Sequence, residues 1–399
     1  MKIDEFLEKM CLFQRIFLEF LENEEDKEEI FSNLIQTLTN EKLSEKPEEF
    51  KTFINILSNV ANNHYRTTNF TPKIEQILKF FQDDIPKYFS NNEIFDLFLE
   101  NKVILLFLIK NNLIFVDKMI SSKIISYRYK TAKYSRFFYR EINPFIKNKS
   151  IEIPENFEEN RQNGENEDEI CEIIRKDLIE NFINFIEGKN YPLTSQITHS
   201  QYESNLFLIE QKEVTLIEYA AFFGSVEIFK YLQSNGVQLN SRLWLFAVHG
   251  NSLEIIHILE QNKVEPPSSS FDICIKEAIK CYHNEIAIYI QSKNKSKSKN
   301  KKNSENFDDS VNNCSDLDLI QFLNFEFIKA VYDVKKLFFK LVEFNLVDLM
   351  KVYSESFDFD FNEMMDGETL LTKAVQNDQL KMTRFILARP EIDVNQIVV

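Results

Sequence analysis

Glycine and proline are scarce, at six and nine in 399 residues. Sandwiches, barrels and glycine-rich nucleotide sites depend on tight turns and need more of both, so helices joined by polar loops are the architecture this composition allows. The abundant residues Phe, Asn, Lys and Ile share AT-rich codons, which reduces the weight of that scarcity. The five cysteines, Cys11, Cys171, Cys274, Cys281 and Cys314, are odd in number and scattered. That pattern excludes a disulfide framework and favours a reducing compartment. Long apolar runs are also missing. The most lipid-like stretch, 103–109, is seven residues, against roughly 20 for a membrane span. The first apolar segment is broken by Glu8, Lys9, Gln14, Arg15 and Glu19, so no signal peptide is read there. Positive charge is in deficit, with a net charge of −16, which argues against a protein that coats nucleic acid. No Gly-x-Ser-x-Gly, His-Glu-x-x-His or phosphate loop occurs, so no catalytic constellation is readable.

What the chain has is core material. Hydrophobic residues make up 44%, including 38 phenylalanines, enough to exclude disorder of the whole. Phe6, Met10, Phe13, Phe17 and Phe20 recur every three or four residues and define one face of a first long helix. Further helices are predicted at 28–38, 47–61, 72–81, 92–100, 102–110 and 113–121. The last two are separated only by Asn111 and Asn112, which predicts an antiparallel pair. Residues 1–147 read as an N-terminal helical region, either part of a stack of helix-turn-helix units or a bundle of its own. Residues 148–167, with Pro154 and Gly164, read as a flexible connector.

Internal repetition dominates the rest. Residues 215–240 hold two short apolar helices punctuated by Gly224 and Gly236. Thr215 is placed to cap the inner helix, Ala220 and Ala221 to let neighbours approach, and Ile228, Phe229 and Leu232 to face inward. A cap-type residue stands nine before a turn residue repeatedly: Thr215 and Gly224, Ser241 and Gly250, Asp272 and Cys281, Thr369 and Asp378, Asp168 and Asp177. A shift of 33 relates residues 359–362 to 392–395 and pairs Leu337 with Leu370, Leu341 with Ala374, Leu349 with Met382 and Val352 with Phe385. Insertions at 188–214, 266–271 and 292–315 interrupt the spacing.

These features resemble the ankyrin repeat. The opening that family writes as Thr-Pro-Leu-His stands here as Thr215-Leu-Ile-Glu218 and Thr369-Leu-Leu-Thr372; Lys336 occupies a Thr position, and Cys281 and Asp378 occupy Gly positions. Each missing cap or turn glycine weakens its unit by about 1 kcal/mol. With Ile217-Glu-Tyr-Ala-Ala-Phe-Phe-Gly-Ser and Ile279-Lys-Cys-Tyr-His-Asn-Glu-Ile-Ala, the chain as a whole is similar to the lineage-expanded ankyrin families of trichomonad-type protists, which carry a helical region of unknown function before divergent repeats. The resemblance implies an all-α fold: an ankyrin-like helical solenoid at 168–291 and 316–399, behind an N-terminal all-helical region. It implies a non-catalytic scaffold that binds a protein partner through the concave face. The groove-facing positions would be Phe222 and Phe223, Val248 and His249, and Gln376 and Asn377. Burial of Phe222 and Phe223 under the first insertion would instead make them structural.

Other features have plainer readings. Cys274, Cys281 and His283 fit no paired metal-ligand spacing, and their helical phase makes them core; no metal, cofactor or small-molecule ligand is expected. Residues 292–303 carry six lysines, read as a solvated loop whose field is partly cancelled by Glu305, Asp308 and Asp309. The alternative function is a structural or targeting protein that uses this run or the N-terminal helices. Trp244 is expected to pack between repeats. Residues 394–399 stop where another repeat would begin, so either the chain continues or the last face is an interface. The expected location is intracellular, in the cytoplasm or the nucleus.

Overall fold

The structure, a computed structural model, describes residues 3–23, 27–65, 69–126, 134–146, 153–298, 316–328 and 333–396. Helix accounts for 66% of it and strand for 2%, so the protein is all-α. The helices are α1 (Ile3–Glu22), α2 (Lys27–Asn40), α3 (Pro47–Asn63), α4 (Phe70–Phe80), α5 (Ile85–Tyr88), α6 (Asn91–Phe98), α7 (Lys102–Lys110), α8 (Lys118–Ile125), α9 (Tyr134–Phe137), α10 (Tyr139–Ile142), α11 (Phe157–Asn163) and α12 (Glu169–Arg175). They continue as α13 (Ile179–Lys189), α14 (Leu206–Glu210), α15 (Leu216–Phe223), α16 (Val226–Ser234), α17 (Leu243–His249), α18 (Leu253–Gln261), α19 (Asp272–Lys280), α20 (Asn284–Ser298), α21 (Val334–Glu343), α22 (Val347–Ser356), α23 (Leu370–Gln376) and α24 (Leu380–Leu387). A hairpin of β1 (Met364–Met365) and β2 (Glu368–Thr369) precedes α23.

The chain folds as two compact units. One joins Met1–Leu57 to Lys301–Val399. In it the expected face of α1 is buried, with Phe6, Met10, Phe13 and Phe17 fully covered and Phe20 nearly so. Gln14, on the same face, is also fully buried. Its amide nitrogen donates to Asn324 Oδ1 at 2.8 Å, and its oxygen accepts the Phe325 N–H at 2.8 Å. Every polar atom of that side chain that leaves water therefore finds a partner across the fold. Arg15 and Glu326 form an ion pair beside it, 2.9 Å apart. Helices α21 and α22, then α23 and α24, form consecutive pairs, and α21 packs on α23 as α22 does on α24. The shift of 33 is visible in detail: Leu337, Leu341, Leu370 and Ala374 are all fully buried. Asp360 and Asp393 each accept the N–H two residues on, both at 2.9 Å.

The other unit is Ser58–Asn300. Its helices α12 and α13, α15 and α16, α17 and α18, and α19 and α20 are again contacting pairs; α12, α15, α17 and α19 touch in succession, and so do α13, α16 and α18. One backbone device closes every pair. A left-handed residue follows the first helix, and the next N–H reaches five residues back, as in a Schellman turn. The left-handed residues are Asp177, Gly224, Asn251 and Tyr282 here, and Asn345 and Asp378 in the first unit. The bonds run from Leu178 to Ile173, Ser225 to Ala220, Ser252 to Ala247, His283 to Ala278, Leu346 to Leu341 and Gln379 to Ala374.

That device shifts two of the sequence assignments by one residue. Gly250 and Cys281 are not the left-handed turn residues; Asn251 and Tyr282 are. Correspondingly, Ser241 does not cap α17, which starts after Arg242, and Asp272 is the first residue of α19 rather than its cap. Thr215 does cap α15, in a reciprocal arrangement with Glu218, and Thr369 caps α23. Gly250 is needed for another reason: a Cβ there would stand 1.8 Å from the Phe222 carbonyl oxygen.

Two further expectations change. The helix predicted at 113–121 begins only at Lys118, because Asn112 turns left-handed and Asp117 supplies the cap, accepting the Ile120 N–H. Within the predicted connector 148–167, residues 157–163 form α11 and bury Phe157 and Arg161. Arg161 meets Glu141 at 2.6 Å and lies over the rings of Phe137 and Phe157. The lysine-rich run is divided: α20 continues to Ser298, and 299–315 lie outside the described residues, as does Cys314.

Candidate functional site

The six residues expected to face a groove separate into two groups. Gln376 and Asn377, at the end of α23, are exposed beside Val375, which is 55% exposed. Phe222, Val248 and His249 are buried, and Phe223 is half-buried against Tyr219. The expectation that Phe222, Val248 and His249 present themselves to a partner is therefore corrected. The cover is the first insertion, which brings α14 across the ends of α15 and α17. Phe207 of α14 stacks on Phe222 at 5.8 Å and on His249 at 4.4 Å, and meets Phe246 edge-on at 5.0 Å.

The insertion is itself fastened. Asn166 Nδ2 donates to Thr198 O, Lys102 Nζ to Gln201 O, and the Ser204 N–H and hydroxyl both donate to Gly164 O. Gly164 permits this approach, since a Cβ would stand 2.2 Å from Val103 Cγ2. Trp244 is buried as expected, donating to Val264 O at 2.9 Å and packing edge-on against Phe271 of the second insertion.

Under the Phe207 ring lies a buried polar cluster. His249 closes α17; Glu277 and Cys281 lie at the end of α19, one helical turn apart. His249 Nδ1–H donates to Glu277 Oε1 at 2.7 Å, and the Cys281 sulfur stands 3.2 Å from the same nitrogen and 3.6 Å from the same oxygen. Lys280 Nζ is 3.5 Å from Glu277 Oε1. Burial pushes the His249 imidazole toward its neutral form, despite the adjacent carboxylate. Glu277 is driven the other way: burial alone would raise it, but bonding to His249 and the Lys280 charge hold it well below the usual carboxylate range. The cluster thus holds a neutral imidazole beside a carboxylate balanced by a lysine. Cys281 is raised by burial and by Glu277, which keeps it a thiol in the absence of a cation.

His283 lies nearby, with Nδ1–H donating to Val248 O at 2.9 Å and its ring edge-on to His64 at 5.1 Å. Burial drives it to the neutral form as well. Sequence reasoning considered Cys274, Cys281 and His283 together. Cys274 and Cys281 are both fully buried, but the donor atoms that converge belong to His249, Glu277 and Cys281. Only the four-residue spacing from Glu277 to Cys281 was visible in the sequence; His249 arrives by packing of α17 on α19.

Among known proteins, no family model matches the chain and no curated sequence aligns with it significantly. Among the described residues, no helix is long and apolar enough to cross a membrane.

Proposed function

We propose that the protein is a non-catalytic scaffold of divergent ankyrin-type units, related to the protist families its sequence resembles, that binds a protein partner. The observation that carries this reading is the serial packing of helix pairs through one repeated left-handed turn, consecutive pairs touching within each of the two units. Such a frame holds surface residues rigidly at low entropic cost to binding. With Phe222, Val248 and His249 covered, the contact surface is assigned to the exposed end of α23, at Val375, Gln376 and Asn377, and to Leu380, which is 60% exposed at the start of α24.

Apolar side chains rimmed by amides are the composition of a protein-binding patch. The test is affinity capture with the full chain and with a V375E/L380E double variant whose circular dichroism matches the parent. Specific loss of one captured protein from the variant supports the scaffold. Equal capture by both proteins removes α23 and α24 from the interface.

A further inference from the structure

We propose that His249 Nδ1, Glu277 Oε1 and Cys281 Sγ form a binding site for a divalent transition metal of the zinc class. The three donor atoms lie within 4.8 Å of one another and come from two adjacent helices. Nitrogen, sulfur and carboxylate oxygen together suit a borderline-soft ion, and hard ions such as magnesium would not choose a thiol.

The geometry is close to what such an ion requires. Zinc bonds of about 2.0–2.3 Å in a tetrahedron place donors roughly 3.3–3.7 Å apart. The Sγ–Nδ1 and Sγ–Oε1 separations of 3.2 and 3.6 Å are near this range already. The Nδ1–Oε1 separation of 2.7 Å must open by about half an ångström. Glu277 is the member that can move, because its side chain is 15% exposed where His249 is 1% exposed.

The hydrogen bonding sets what binding requires. Nδ1–H donates to Glu277 Oε1, and the Cys281 sulfur stands 3.2 Å from the same nitrogen. The other ring nitrogen, Nε2, is buried and has no polar partner among the described residues. The Glu277 carboxylate holds the ring proton on Nδ1, so an incoming metal must shift it to Nε2, which frees the Nδ1 lone pair. On binding, the Cys281 S–H bond breaks, the proton passes to solvent and the sulfur–metal bond forms. Three protein donors leave a fourth position of a tetrahedron to a further ligand. Lys280 competes for the same carboxylate oxygen, so the ion must displace its ammonium. The metal would tie α17 to α19, and this role is independent of the partner-binding surface on α23.

The experiment is titration of the chelator-treated full-length protein with cobalt(II). The expected result is a saturable sulfur-to-cobalt charge-transfer band at one equivalent, displaced by zinc. It should be absent in C281S, retained in C274S, and reached at lower cobalt concentration in K280Q, which removes the competing charge. Should C281S fail to fold, E277Q decides, with binding weakened at least roughly tenfold. Absence of a saturable band in the parent protein, or an unchanged band in folded C281S, overturns the proposal.

Discussion

Phe207 lies face to face with His249, ring centroids 4.4 Å apart and planes inclined by 25°. One aromatic side chain, carried by the five-residue helix α14, thereby closes over the end of α17 and the phenyl ring of Phe222. Removing it tests that cover directly. Phe207→Ala is expected to cost about 3 kcal/mol or more and to speed amide exchange in 216–223 and 243–249. Exchange unchanged in those segments would show that the insertion does not protect them.

Gly224 and Gly250, near the ends of the first helices of consecutive pairs, should respond differently to a methyl group. At Gly224 the obstacle is backbone conformation, φ +67°, with nothing nearer than Ser252 Oγ at 3.5 Å, so Gly224→Ala costs about 1–2 kcal/mol. At Gly250 the methyl meets backbone 1.8 Å away, and the cost reaches the upper part of the overpacking range, about 3 kcal/mol. Chemical denaturation of both variants ranks them; equal losses would contradict the packing of α17 against Phe222.

Gln14 is the polar bolt of the first unit. Replacing it with Leu removes the acceptor for the buried Phe325 N–H and is expected to destabilise by about 1–3 kcal/mol. A neutral result in thermal melts would mean that α1 and the 324–326 segment are not joined as described.

Glu158 gives a pH dependence. Burial alone would raise its pKa, but the charges of Arg161, Lys110 and Arg140 hold it below the usual carboxylate range. A lowered folded-state pKa stabilises above the unfolded value of about 4.3, and that contribution is lost as pH falls through the folded value. Glu158→Gln should therefore be less stable than the parent at neutral pH and approach it in acid. A gap that stays constant from neutral pH down into the acid range would refute the ion-pair role.

Burial pushes Cys171 and Cys274 up to about 12 each, so thiolate is negligible at neutral pH. Alkylation followed by peptide mapping is expected to leave both unmodified in the native protein and to modify both in denaturant. Rapid native labelling of either would place it outside the core.

Much of the helical organisation was legible because periodicity is local. The phenylalanines of α1, the two helices around Gly224 and the shift of 33 between the last two pairs all appear in the structure where apolar spacing put them. Turn chemistry was legible where side chains forced it, as at Thr215, Gly224 and Thr369. It slipped by one residue at α17 and α19 because Asn251 and Tyr282 occupy the left-handed position without being glycine. Tyr282 tolerates this where its ring is fully enclosed, so the cost is set by packing that no local pattern reveals.

The sequence by itself determined an all-α protein made of short apolar helix pairs, since helix period, caps and composition act over a few residues. Only the tertiary structure decided that residues 1–57 share a unit with 301–399, that Phe207 covers Phe222 and His249, and that His249 meets Glu277 and Cys281. Each of these depends on which faces bury one another across long chain separations, and the free energy of such burial belongs to the packed pair rather than to either segment.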